Sequence, residues 1–94
     1  MNKTEEAIQN NEGTIVDVRT REEFMGGHVI NSINIPVQEL AQNMEKLMQL
    51  PTPLILCCAS GGRSGMAAEV LQKAGIDCFN AGSWLEVNHY VNQD

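Results

Sequence analysis

The residues able to do chemistry crowd into one short stretch of this 94-residue chain. Two adjacent thiols, Cys57 and Cys58, are followed after the turn residues Ala59, Ser60, Gly61 and Gly62 by the guanidinium of Arg63 and the hydroxyl of Ser64. A thiolate is a strong nucleophile, and glycines free a backbone to curl its N–H groups toward an anion. The chemistry this implies is covalent attack by sulfur, with Ala59 to Ser64 lining the place where the substrate binds and charge collects.

Such a loop needs rigid elements before and behind it. Leu54 to Leu56 form an apolar run of the kind expected for a strand covered on both faces. Behind the loop, Met66, Ala67, Val70, Leu71 and Ala74 fall on one face at helical spacing, and Gly75 is a natural stop. The loop from Cys58 to Arg63 therefore lies at a helix N-terminus, where amide donors and the positive end of the dipole converge. A free cysteine has a pKa of about 8.5, and lowering it two units takes ~2.7 kcal/mol of preferential thiolate stabilisation. A helix end typically gives about 0.3–1 kcal/mol. Loop amides at ~1.5–3 kcal/mol per charge-assisted bond close the gap, with help expected from Arg63.

Geometry separates the two thiols. Side chains alternate across a strand, so Cys57 and Cys58 point to opposite faces. In a parallel sheet covered on both sides, ligands bind beyond the carboxyl ends of the strands, and only the last residue escapes the core. Cys58 is thus the expected catalytic nucleophile, open to solvent, and Cys57 and Cys78 are expected as inert core thiols.

The rest of the chain bounds what this centre belongs to. With 43% hydrophobic residues and no long polar tract, residues 1–94 read as a single domain. No apolar run approaches the ~18 residues of a membrane span, and the N-terminal segment lacks the apolar core of a signal peptide, so a cytoplasmic location is expected with no membrane partner. The net charge is −6, with the basic residues scattered at Lys3, Arg19, Arg21, Lys46, Arg63 and Lys73, which excludes a nucleic-acid partner. Three cysteines, two of them adjacent, make no disulfide scaffold. There is no Cys-x-x-Cys, His28 and His89 are far apart, and the glycine loop lacks the lysine of a nucleotide-binding P-loop, so neither metal nor cofactor is expected.

Helices and short strands alternate along the chain. Thr4 to Asn10 is weakly helical, Thr14 to Val18 reads as a strand, and Asp17 and Arg19 stand at its carboxyl end as supporting residues that pair or tie down loop amides. Thr20 and Glu23 form a capping box for a short helix ended by Gly26-Gly27. Ser32 to Ile35 is a second strand, and Val37, Leu40, Ala41, Met44, Leu47 and Met48 line one face of the next helix. Asp77 to Asn80 is the last strand and Trp84 to Val91 the last helix. This alternation predicts an α/β fold of three layers, a small mostly parallel sheet flanked by helices. Glu22 and Glu23 read as a solvated face, His28 as a hydrogen-bonded turn residue, and Met25, Met44, Met48 and Met66 as core fill. Trp84 reads equally as core anchor or pocket wall.

Taken together these residues resemble a single-domain rhodanese, a thiosulfate sulfurtransferase. Asp17-Val-Arg19, Glu23-Phe24, Gly27-His28-Val29 and Ile33-Asn-Ile-Pro36 resemble the family's amino-terminal motifs in order and spacing, and Cys58, Gly61, Arg63 and Ser64 fall on C-x-x-G-x-R-S of its active-site loop. Where the family commonly has a glycine after the Gly-His pair, this chain has Asn31, which tolerates a left-handed backbone. The resemblance implies a rhodanese-like fold. It also implies that Cys58 takes the outer sulfur of a small anionic donor, thiosulfate, as a persulfide and passes it to cyanide, a small thiol or a protein thiol, while the loop amides from Ala59 to Arg63 cradle it.

Two other readings compete. Counted back from Arg63, Cys57 completes C-x5-R-S, the loop of cysteine phosphatases, which requires Cys57 to be exposed and Arg63 to grip phosphoryl oxygens. Alternatively the chain is a non-catalytic redox-sensing or protein-docking module in which Cys78 resolves an oxidised Cys58.

Overall fold

The structure, a computed structural model, describes residues 1–93. Four strands, β1 (Thr14–Asp17), β2 (Ile33–Asn34), β3 (Leu54–Cys58) and β4 (Cys78–Ser83), form a sheet in the order β2-β1-β3-β4 with every pairing parallel. Helices α1 (Lys3–Gln9), α2 (Arg21–Met25), α3 (Met44–Gln49), α4 (Gly62–Lys73) and α5 (Trp84–Val91) complete the chain, with two 3-10 turns at Val37–Glu39 and Ala41–Asn43. This is the α/β, three-layer arrangement that the alternation predicts.

The period-2 rule of a strand decides which layer each residue of β3 joins. Leu54, Leu56 and Cys58 pack with Leu47 of α3 and with Ala67, Ala68 and Leu71 of α4. Ile55 joins Ala7 of α1, and Cys57 joins Val29 and Val87 of α5 on the other face. All five residues of β3 are buried, at ~1.5–3 kcal/mol for each large aliphatic side chain removed from water. Helix α1 is capped by the Asn2 side chain, and Asn2 also donates to the Tyr90 hydroxyl, which pins the first helix to the last.

Four expectations need correction. The face of α4 that enters the core is Ser64, Ala67, Ala68 and Leu71, while Met66 and Val70 point to solvent. Helical phase decides this, because Ser64, Ala67, Ala68 and Leu71 form one stripe at i, i+3, i+4 and i+7, and Met66 and Val70 fall outside it. Met25 and Met48 are exposed as well, so of the four methionines expected as core fill only Met44 packs on the core. The segment after Pro36 is no continuous helix, because the Asn43 amide donates to the Glu39 carbonyl and competes with the backbone ladder until α3 begins. Finally, β4 runs on to Ser83, made possible by a bulge at Ala81 that shifts its register against β3 between Leu56↔Asn80 and Cys57↔Gly82. The capping box of Thr20 and Glu23 is present, Asn31 has φ +66°, and α5 spans Trp84–Val91 as predicted. Among the described residues no helix is long and apolar enough to cross a membrane.

Candidate active site

The carboxyl ends of β1, β3 and β4 meet at one edge of the sheet, and β3 delivers Cys58 there as its last residue. Gly61, at φ +102°, turns the chain back and serves as N-cap of α4. A Cβ at this position would press within 3.3 Å of the Gly82 backbone, so the turn is restricted to glycine on two counts. The turn aims donors at the sulfur. Gly61 N–H lies 3.0 Å from Cys58 Sγ, Ser64 N–H 3.5 Å and Ser64 Oγ 3.3 Å. Ser64 is fully buried, and its Oγ is also 2.6 Å from Asn80 Oδ1. The Asn80 side chain is fixed in turn, donating to the Gly61 carbonyl at 3.0 Å and accepting from Gly82 N–H at 2.9 Å. The loop is thereby tied to the bulge of β4.

Burial opposes ionisation of Cys58, and the bonds from the Ser64 hydroxyl and from the amides of Ser64, Ser60 and Gly61 more than offset it. The thiol falls below its ordinary value, to about 7. Its neighbour moves the other way. Cys57, with no exposed surface, is pushed up to about 12 by burial and then by the Asp17 carboxylate. Cys78 is also raised by burial, and its thiol faces the Ala68 carbonyl under α4.

Cys58 is not the solvent-facing thiol expected from its place at the strand end, since only 1% of the residue is exposed. The loop folds over it to deliver the donors. The cover consists of Ala59, Ser60, Gly61 and Gly62, whose side chains are a methyl, a hydroxymethyl and two hydrogens. Gly62 and Arg63, in the first turn of α4, have N–H groups without an acceptor among the described residues, as helix N-termini must. Three surface concavities among the described residues lie elsewhere, bordered by Ile8, Gly13 and Val91, by Leu40, Met66 and Val70, and by Gln9, Tyr90 and Gln93, and none of them includes a residue from Cys58 to Ser64.

Arg63 differs from expectation too. Its guanidinium is engaged by Glu23, with Nη1–Oε1 at 2.7 Å and Nη2–Oε2 at 3.0 Å, so it favours the Cys58 thiolate through its charge alone, while the hydrogen bonds that lower the thiol come from Ser64, Ser60 and Gly61. Glu23 is accordingly no solvated face residue. Besides gripping Arg63 it accepts from Thr20 N–H and Thr20 Oγ1, and these partners, Arg63 first, hold its carboxyl at about 2. The fork-to-fork geometry was invisible in sequence because forty residues separate the two side chains.

Asp17 and Arg19 take a structural role. Arg19 Nε is 3.0 Å from both Asp17 oxygens, Nη2 is 2.8 Å from Oδ2, and Nη2 also donates to the Gly27 carbonyl at 2.7 Å. The guanidinium lies 4.6 Å from the Trp84 ring centre, and a Cβ on Gly27 would come within 3.2 Å of the Trp84 ring. Trp84 is an anchor for this pair. His28 donates from Nδ1 to the Phe24 carbonyl at 2.7 Å and stacks on the Phe24 ring, the turn role expected of it. No group of residues suited to holding a metal ion occurs among the described residues.

The two rival arrangements meet physical obstacles. A phosphatase loop starting at Cys57 needs that thiol exposed, and it is sealed between Val29 and Val87. Cys78 pairs in register with Leu54, four residues before Cys58 on the neighbouring strand, which separates the two thiols by about 13 Å along the sheet. A disulfide between them is out of reach.

Comparison with known proteins gives a consistent result. The family model "Rhodanese-like domain" matches residues 1–88. The uncharacterised protein YqhL of Bacillus subtilis is 39% identical over 61 residues, covering 65% of this chain and 48% of its own length. A putative mitochondrial thiosulfate sulfurtransferase of Schizosaccharomyces pombe is 31% identical over 86 residues, covering 77% of this chain and 61% of its own length. The chain thus spans about half to three fifths of these relatives. Among solved structures, a rhodanese-related protein from Thermoplasma volcanium superposes with a TM-score of 0.78 at 27% identity over 97% of this chain and 91% of that one. A rhodanese-like domain protein from Staphylococcus aureus gives 0.75 at 28% identity over 89% and 86%.

Proposed function

This chain belongs to the rhodanese-like domain family, and on that premise we propose that it is a sulfurtransferase that carries sulfane sulfur as a persulfide on Cys58. The observation that carries the reading is the convergence of Gly61 N–H, Ser64 N–H and Ser64 Oγ on one sulfur atom. In the first half-reaction the Cys58 thiolate attacks the outer sulfur of a donor such as thiosulfate. A new S–S bond forms, the donor's S–S bond breaks, and sulfite leaves with the electron pair. In the second, cyanide or an acceptor thiolate attacks that outer sulfur, and the electron pair returns to Cys58.

A thiol lowered to about 7 is substantially ionised at neutrality, the state the first step requires. The unpaired amides of Gly62 and Arg63 are suited to receive the charge of the added sulfur, and a site built for one extra atom needs no deep pocket. Ala59, Ser60, Gly61, Gly62, Arg63 and Ser64 then form the binding loop, with Asp17 and Arg19 holding its surroundings. The reading treats residues 1–94 as one catalytic unit.

Intact mass after treatment with a sulfane donor tests it. A gain of one sulfur, reversed by cyanide and lost in Cys58→Ser, is expected. A thiol that takes up no sulfur from any donor overturns the enzyme assignment in favour of a docking module.

A further inference from the structure

The charges around the loop choose among donors. Glu23 grips Arg63 through both oxygens, and the same carboxylate is held by Thr20 N–H at 3.0 Å and Thr20 Oγ1 at 3.1 Å, so it is fixed as part of the α2 cap. The pair is two-thirds shielded, at 33% and 37% side-chain exposure. Among the described residues no other cation replaces Arg63. Arg19 is engaged by Asp17, Arg21 by Glu39 and Lys73 by Glu69, while Lys3 and Lys46 sit on α1 and α3, which contribute nothing to the loop. With Cys58 ionised, the site is net negative within a chain of net charge −6.

From this we infer that Glu23 is a specificity-determining residue: by neutralising Arg63 it turns the site away from dianionic donors such as thiosulfate and toward sulfane sulfur carried on a thiol, a persulfide. The inference rests on the sulfur-transfer reading above. A thiol persulfide carries at most one negative charge against the two of thiosulfate, is attacked in its protonated, uncharged form, and so needs no guanidinium. Cys58 Sγ bonds to its terminal sulfur as the donor's S–S bond breaks. The electron pair leaves on the carrier thiolate, the proton stays on the transferred sulfur, and there is no net oxidation.

The test compares thiosulfate with the persulfide of 2-mercaptoethanol, following persulfide formation on Cys58 at low ionic strength. One charge about 7 Å from a dianion alters its binding roughly tenfold at a protein surface. Glu23→Gln is therefore expected to raise kcat/KM for thiosulfate about tenfold while leaving the persulfide within about twofold, and the gain is expected to vanish near about 0.5 M salt. Thr20→Ala disturbs the same cap but keeps the charge, and leaves the donor ratio unchanged. A persulfidated cysteinyl peptide run alongside tells a protein-borne donor from a small one, and either supports the inference when it outruns thiosulfate. Equal use of both donors by the unaltered protein, no response to Glu23→Gln, or the same response to Thr20→Ala overturns it. Failure of every donor to place sulfur on Cys58 overturns the sulfur-transfer reading itself, a result distinguishable from a persulfide formed without discrimination.

Discussion

Cys57 and Cys58 are joined by one peptide bond and equally hidden from solvent, yet one thiol is held at about 12 and the other at about 7. Burial raises both thiols, Cys57 the more, and only on Cys58 do hydrogen bonds more than offset it. What differs is the face. Cys57 turns toward Val29 and Val87, where no hydrogen bond to its sulfur is made among the described residues and the Asp17 carboxylate adds to the effect of burial. Cys58 turns toward the N-terminus of α4, where two amides and a hydroxyl reach it. Within one strand, the alternation of side chains is enough to make one sulfur inert and its neighbour ionisable.

The contrast can be broken most severely at the sulfur itself. Cys58→Ser should abolish sulfur transfer, a loss of at least about a thousandfold, while Cys57→Ser keeps most of it. The reverse ranking in a transfer assay would undo the assignment of the nucleophile. Next in size, Ser64→Ala removes a hydrogen bond to a charged group, worth ~1.5–3 kcal/mol, and should shift the pH midpoint of Cys58 alkylation upward from near 7 by roughly one to two units. A midpoint that stays put would place the stabilisation in the amides alone.

The same contrast has a sign in stability. Cys58 has a depressed value in the folded state, so its contribution is present above the unfolded thiol value of about 8.5 and is lost as pH falls through about 7. Cys57 has a raised value, so its contribution is present below about 8.5 and is lost as pH climbs toward about 12. Urea unfolding across this range should lose its rise between pH 7 and 8.5 in Cys58→Ala and its alkaline fall in Cys57→Ala. Truncating Cys57 itself should cost about 1–2 kcal/mol, the scale of a small core cavity, with transfer activity retained. The smallest effect belongs to the outward face of α4, where Met66→Gln should leave stability within about 0.5 kcal/mol. A larger loss would mean that Met66 is covered after all.

The parts of this design legible in sequence are those set by local rules. Apolar runs, alternation, the Thr20 capping box and the glycine turn specify β3, α2 and the start of α4 from short windows, and they place Cys57 and Cys58 on opposite faces. The parts that were not legible depend on distance in space. Ser64 was placed on the loop by its motif, but only the close approach of α4 to β4 shows its hydroxyl turned inward onto sulfur. Glu23 looked like any helix-surface carboxylate until its partner forty residues on was brought beside it. Asn80, which fixes the loop to β4, carried no signal at all. Met66 and Val70 misled for the opposite reason, since they are more apolar than Ser64 and Ala68 yet lie outside the stripe of Ser64, Ala67, Ala68 and Leu71 that meets the sheet.

One further consequence lies in the Ser64 hydroxyl. It owns a single hydrogen, and two acceptors compete for it, the sulfur at 3.3 Å and Asn80 Oδ1 at 2.6 Å. A neutral thiol leaves that hydrogen with the amide oxygen, whereas a negative sulfur draws it away. The hydroxyl therefore rotates like a compass needle with the charge of the reaction centre. Because Asn80 also holds Gly61 and Gly82, the sulfur, the loop and the bulged strand beside it share one hydrogen-bonded chain.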